Sequence, residues 1–327
     1  SKGIMSLKAA RRRWKILRAG FFFDYERIKR KGIGFMIVLY LILLAVLQAV
    51  TEFLPVSSFG HLCVVESLLG ISHDTGLLLE AMLHLGTAAA IIFLFKKDLK
   101  RLGVELLGMF MDLIGNLNLY IHNKRTGAEL KYARIVTGNY RKFTVLLLVS
   151  MIPTVLLGLT ARRLTLLTAD SPLFSGIGFL LSGIFLLVTD LNKSGGTKGP
   201  REASYDSAMW IGICQGLAVF PGISRMAFTL CAALLCGYSR KFAVRFSVFM
   251  SLPAIIGAFF TEVGYFGSSE MTVGLGFSFI FAMIVSGFVG CLVIRNMTLR
   301  AQKVKLRYFA YYSFIVGIIT LALNFAL

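Results

Sequence analysis

The sequence predicts an all-α integral membrane protein: six transmembrane helices plus two re-entrant helical hairpins in an inverted-topology repeat. Three observations carry that expectation. The 327 residues are 57% hydrophobic with a mean hydropathy of +0.76, more apolar than a soluble domain whose surface must hold charge. Six segments, residues 77 to 95, 143 to 161, 173 to 191, 243 to 262, 273 to 294 and 308 to 327, approach the roughly 20 apolar residues needed to cross about 30 Å of hydrocarbon. Two further apolar regions, 35 to 70 and 207 to 237, are interrupted near their middles at Pro55 and at Pro221 with Gly222. Their halves are too short or barely long enough to cross, so both regions read as hairpins that enter the membrane and turn back.

Residues 1–34 read as a basic interfacial segment. They hold eleven Lys and Arg against only Asp24 and Glu26, and Trp14, Ile16, Leu17 and Phe21 supply an apolar side. The apolar stretch 19 to 23 is too short for the h-region of a cleaved leader. Residues 35–327 form a single membrane domain with one repeat over about 35–161 and a second over about 207–294. The two breaks align without gaps, matching Gln48 with Gln215, Phe53 with Phe220 and Ser57 with Ser224. Each hairpin is followed by two spans, with one extra span after each set. An odd number of spans then separates the hairpins, so they enter from opposite faces, an arrangement that sets sites at the midplane.

Loop charge assigns the sides. The loops 96–142, 192–206, 238–242 and 295–307 share one side and carry twenty Lys and Arg, whereas the other side has Arg162 and Arg163. By the positive-inside rule the first side is cytoplasmic, and both termini and the mouth of the first hairpin lie outside. The basic N-terminal segment runs against that rule. A formal charge of +19 on such a chain reports topology and contact with anionic phospholipid, not nucleic acid. The five cysteines sit in apolar segments without metal-ligand spacing and read as small core residues.

Ionisable groups within membrane segments are costly, so each is a functional candidate. The first break concentrates Gln48, Glu52, Ser57, Ser58 and His61; the second brings Gln215, Gly222, Ser224, Arg225 and Thr229. Gln48 and Glu52, four apart, share a helix face and either ligate a hard divalent cation or hydrogen-bond each other. Ser58 and His61 read as a hydroxyl with its base, or as a helix cap beside a packed ring. Arg225 needs an anionic partner, either phosphate oxygens that its planar fork matches or the Glu52 carboxylate. Helix N-termini after both breaks would add N–H donors toward the same anion. Glu80 and Arg245 fall at similar offsets after the breaks and are weaker candidates, and His84 reads as core.

The stretch from Gln48 to His61 resembles the first signature of the undecaprenyl-diphosphate phosphatase (bacitracin-resistance protein) family, (E/Q)xxxE followed by PVSSxGH. Pro221, Gly222, Ser224, Arg225 and Thr229 resemble its second, PGxSRSxxT. The likeness runs from about residue 36 to the C-terminus. It implies a dimer-forming fold of six spans and two hairpins in the bacterial cell (inner) membrane. It further implies hydrolysis of undecaprenyl diphosphate to undecaprenyl phosphate and phosphate, aided by Mg²⁺ or Ca²⁺, to recycle the cell-wall lipid carrier. Position by position, it gives Gln48 and Glu52 the paired acidic or amide places and Ser58 and His61 the nucleophile or base places. Arg225 takes the phosphate place. Ser57, Gly222, Ser224 and Thr229, beside these residues in the two breaks, are expected to bind the substrate, and the loop charges open the site to the extracytoplasmic side. Met226 stands where the second signature has Ser, and Arg245 stands where an acidic residue is expected. A transporter that flips polyprenyl phosphate without chemistry is the alternative, because inverted repeats and midplane sites also build transporters. A non-catalytic scaffold would leave the buried polar cluster unexplained.

Overall fold

The computed structural model describes residues 34–69, 77–169, 171–192, 196–268, 271–300 and 305–326. The basic segment 1–34 lies outside them apart from its last residue. The 20-residue α1 (Gly34–Phe53) and the 12-residue α2 (Ser58–Leu69) open the fold and are followed by α3 (Leu78–Leu94), α4 (Lys96–Thr126), α5 (Asn139–Ala169) and α6 (Pro172–Leu191). A second pair, α7 (Tyr205–Leu217) and α8 (Arg225–Leu235), precedes α9 (Arg240–Glu262), α10 (Val273–Arg300) and α11 (Leu306–Ala326). Among the described residues there is no β-strand, only an isolated bridge between Lys198 and Tyr238.

Among the described residues six helices are long and apolar enough to cross a membrane: α4, α5, α6, α9, α10 and α11. Two points differ from the sequence reading. The span expected at 77 to 95 is the 17-residue α3, about 26 Å long and just short of a full crossing. The region expected as a loop, 96 to 142, instead contains the 31-residue α4. Its acidic residues fall every seventh position, at Asp98, Glu105 and Asp112, so they mark one stripe of a helix, and its basic residues stand at its two ends.

Small residues set the helix contacts, as expected where lipid supplies no hydrophobic drive between helices. A Cβ on Gly86 of α3 would fall 2.2 Å from the Met283 carbonyl of α10, and one on Gly212 of α7 would fall 2.1 Å from the Ser150 carbonyl of α5. α1 packs on α10 much as α7 packs on α5, and α6 pairs with α11.

Polar contacts mark the two ends of the bundle. At one end Arg245 pairs with Asp98 at 2.6 Å, Arg307 pairs with Asp190 at 2.6 Å, and the Lys142 ammonium lies 3.4 Å from the Tyr205 ring centroid. The four loops assigned to one side by their charge thus gather at that end. Elsewhere Arg162 pairs with Glu262 at 3.0 Å, and the other carboxylate oxygen of Glu262 accepts from the Leu77 N–H at 3.2 Å.

Candidate active site

Both broken regions build their tips in the same way. After α1 the chain turns through residues 54 to 57, and the Ser57 hydroxyl accepts the Gly60 N–H at 3.2 Å, capping α2. After α7 it turns through 218 to 224, and the Ser224 hydroxyl accepts the Ala227 N–H at 3.2 Å, capping α8. The aligned serines therefore do the same structural work, each satisfying a free N–H of a helix start. Both turns need left-handed backbone: Ser57 has φ 65° and Gly222 has φ 80°. For Ser57 that conformation is strained, and strain of this kind concentrates at functional turns.

The tips touch. Ser57 Oγ donates to the Ile223 carbonyl at 3.3 Å, and a Cβ on Gly60 would fall 2.6 Å from the Gly222 Cα. α6 holds the second tip from behind: Ser182 Oγ donates to the Gly222 carbonyl at 3.1 Å and accepts the Ser224 N–H at 2.8 Å.

This contact brings two charges together. Glu52, in the last turn of α1, has a side chain only 2% exposed and forms an ion pair with Arg225, the first residue of α8. Its second oxygen accepts from Ser58 Oγ at 2.5 Å and lies 3.1 Å from His84 Nδ1. Gln48, fully buried, has its Nε2 3.5 Å from the same oxygen and 3.0 Å from His84 Nδ1, while its Oε1 accepts from Ser286 Oγ at 2.7 Å. Arg225 Nη1 is buried, and among the described residues nothing accepts its hydrogen bonds. A buried guanidinium nitrogen so placed is costly unless an anion completes it.

The pair forms part of the wall of a cavity of about 300 Å³. Glu52, Ser57, Ser58, Glu80, His84, Gln215 and Arg225 are among its polar lining residues, as are the paired Arg162 and Glu262. The rest of the lining is largely apolar, including Met151, Val155, Val219 and Ile255.

Not every expected residue reaches that wall. Gly222, Ser224 and Thr229 lie behind it: Gly222 is packed on Ser175, Ser224 caps α8, and Thr229 donates to the Arg225 carbonyl at 2.9 Å. Gln48 also sits behind Glu52. The His61 ring is turned away, its Nδ1 2.6 Å from the Ser57 carbonyl and its Nε2 2.8 Å from the Tyr312 hydroxyl. His84, read from sequence as core, is the histidine that faces the cavity and touches Glu52. The available signal was its place one turn after Glu80, on the same face of α3. Ser286 and Tyr312 gave no such signal, because each lies far along the chain from the group it holds. Arg245 does not join Glu80; it pairs with Asp98 at the basic end.

Comparison with known proteins supplies the relatives. The family model described as "Bacitracin resistance protein BacA" matches residues 41–319. A protein named undecaprenyl-diphosphatase from Alkaliphilus metalliredigens is 35% identical over 285 residues, covering 86% of this chain and 96% of its own length. One of the same name from Methanosphaera stadtmanae is 32% identical over 290 residues, covering 89% and 99%. A third, from Desulforapulum autotrophicum, is 31% identical over 286 residues, covering 87% and 97%. With the match running through both tips and every helix that lines the cavity, the chain belongs to the bacitracin resistance protein BacA family.

Proposed function

We propose that the cavity hydrolyses undecaprenyl diphosphate to undecaprenyl phosphate and phosphate, with the diphosphate drawn in from the lipid and the polyprenyl tail left outside. The chain is a phosphatase of the polyprenyl-diphosphate class, as its family membership and the names of its relatives imply. The observation that carries the assignment to this cavity is Arg225. One side of its fork is taken by Glu52, while the buried Nη1 is left for a phosphate oxygen. The free N–H groups at the start of α2 and the positive end of its dipole favour the same anion.

In this reading Ser58 attacks the terminal phosphorus. Its hydroxyl proton is already directed at Glu52, which takes it as the new O–P bond forms. The bond from that phosphorus to the bridging oxygen breaks, polyprenyl phosphate leaves, and water then releases phosphate from the serine. Arg225 offsets the charge that grows on the transferring group, and His84 holds the Glu52 carboxylate in place. Glu52, Glu80 and Ser58 offer hard oxygen donors within one cavity, which fits Mg²⁺ or Ca²⁺. Glu52 with Glu80 would hold such an ion, which would supply neutralisation of the diphosphate charge. Gln48 serves Glu52 from behind in this arrangement.

The helix pairs α1–α2 and α7–α8 act as two re-entrant hairpins in inverted repeat. Supporting this, the first arm of each pair packs on the second span of the other half, α1 on α10 and α7 on α5. The gathered basic loops mark the cytoplasmic end of a protein in the cell membrane. Arg162 and Glu262, which line the cavity and do not belong to the basic loops, support an opening to the outer side.

Purified protein in bilayers, supplied with undecaprenyl diphosphate, tests the assignment. Phosphate release should fall at least about 10²-fold in Arg225→Ala. Release at the parent rate, or lipid movement without phosphate release in the parent, would overturn it.

A further inference from the structure

Helix α4 carries two opposed faces. Asp98, Glu105 and Asp112, with Asn116 and Asn123, form a polar stripe down one side. Arg141, at the start of α5, pairs with Asp112 and with Glu105 at 3.1 Å. Residues 127 to 138 then run back along the stripe in extended form after Gly127 ends the helix at φ 72°. Asn116 and Asn123 each grip this return segment twice. The Asn116 amide donates to the Ala133 carbonyl at 2.8 Å and accepts the Ala133 N–H at 2.7 Å. The Asn123 amide does the same with Leu130 at 2.9 and 3.2 Å. The opposite face is apolar and bare: Val104, Leu107, Phe110, Met111, Leu113 and Leu117 are all more than half exposed.

By composition α4 could cross the membrane, but the return segment decides against it. Among the described residues, 129 to 137 make no backbone–backbone hydrogen bond. Extended backbone of this kind cannot run through hydrocarbon, where every unsatisfied N–H and C=O costs several kcal/mol. It has to lie where water reaches it. The bare apolar arc, on the other side of the same helix, has to lie where water does not. Only the interface between water and lipid meets both demands.

Charge identifies the lipid. Residues 96 to 142 carry ten Lys and Arg against four Asp and Glu. The helix begins with Lys96, Lys97, Lys100 and Arg101, and Lys124, Arg125 and Lys131 stand at its far end, with Arg134 further back next to the Ala133 that Asn116 holds. Three of the four acids, Asp98, Glu105 and Asp112, are taken up by Arg245 and Arg141, so the outward charge at both ends is basic.

We propose that α4 and residues 127 to 138 form an arm lying in the plane of the membrane at the basic end of the bundle, docked on anionic phospholipid. Its apolar arc sinks among the acyl chains, its two basic ends meet the headgroups, and the asparagine-held return segment faces water. One residue, Phe95, joins the arm to α3, which carries Glu80 and His84. The arm therefore sets the depth at which one wall of the cavity sits. This inference is independent of the chemistry assigned to the cavity.

Single-tryptophan forms of the full chain, with Trp14→Phe and Trp210→Phe, test it in bilayers whose lipids carry bromine near the headgroup or near the bilayer centre. Phe110→Trp, Leu113→Trp and Leu117→Trp should all be quenched most by the shallow bromines, and Tyr132→Trp by aqueous acrylamide. Replacing zwitterionic with anionic lipid should strengthen the shallow quenching. That gain should be lost when Lys124, Arg125, Lys131 and Arg134 become Gln. A crossing helix would give Leu113→Trp its strongest quenching from the deep bromines. A second copy covering the arc would protect Phe110→Trp from both bromine and acrylamide, and an arm standing in water would give acrylamide quenching at every position. Each of these three results would overturn the proposal. A variant that fails to fold is replaced by Met111→Trp or Leu107→Trp, on the same arc.

Discussion

The two hairpin tips share a frame and differ in what they hang on it. Each has a glutamine in its first arm, a left-handed turn, and a serine that caps the second arm. The first tip places a carboxylate, a hydroxyl and the strained Ser57 at the cavity, whereas the second places a single guanidinium over a glycine turn packed tightly on α6. The two glutamines have also parted. Gln48 joins the Glu52 network, while Gln215 lines the cavity and donates to the Met250 carbonyl at 3.2 Å. The difference teaches that neither tip is a site by itself. In the proposed reaction the first supplies a nucleophile and a proton acceptor and the second the positive charge, so that their contact makes one centre from two halves.

The largest effect is expected at the guanidinium. Arg225→Lys keeps the charge but loses the planar fork that serves Glu52 and a phosphate oxygen together. Phosphate release should fall about 10²-fold with the protein still folded, as read by monodisperse elution. The next contrast is between the turns. Gly222→Ala puts a Cβ 2.0 Å from the Ser175 carbonyl at φ 80° and should abolish or severely reduce folded protein. Ser57→Gly relieves the strain at φ 65° while losing the cap, so stability should stay within about 1 kcal/mol of the parent. Thermal unfolding in detergent reads both.

A smaller effect separates the histidines. His84→Ala removes the group holding Glu52 and should slow phosphate release by about 10- to 100-fold. Tyr312→Phe frees only His61 Nε2 and should leave the rate within about fivefold of the parent. The reverse ranking would return the cavity role to His61. Smallest is Ser224→Ala, which removes the cap of α8 and should cost about 1 kcal/mol of stability.

Much of this was legible in the sequence. Apolar runs located α5, α6, α9, α10 and α11, and the two proline breaks located the tips, because membrane length and broken helices leave direct marks. Glu52, Ser58 and Arg225 stood out as charged and hydroxylic groups where none should be without use. Other features left no such mark. α4 is hidden because its charges suggest a loop, although the acidic ones, spaced by seven, share one stripe and the basic ones stand at its two ends. His61 was read as a base from its distance to Ser58 along the chain, yet the ring turns outward to Tyr312, more than two hundred residues away. Ser286 enters the site only through the packing of α10 against α1, which no local pattern encodes, and the one local mark of His84 is its place a turn after Glu80.

The central claim, one centre built from two tips, is tested most directly by a double-mutant cycle on phosphate release from undecaprenyl diphosphate. Glu52→Gln and Arg225→Gln are each expected to lose at least about 10²-fold, and the double variant to lose no more than the worse single one, as residues acting as a unit do. Losses that multiply in the double variant, or a single variant that keeps the parent rate, would contradict the account.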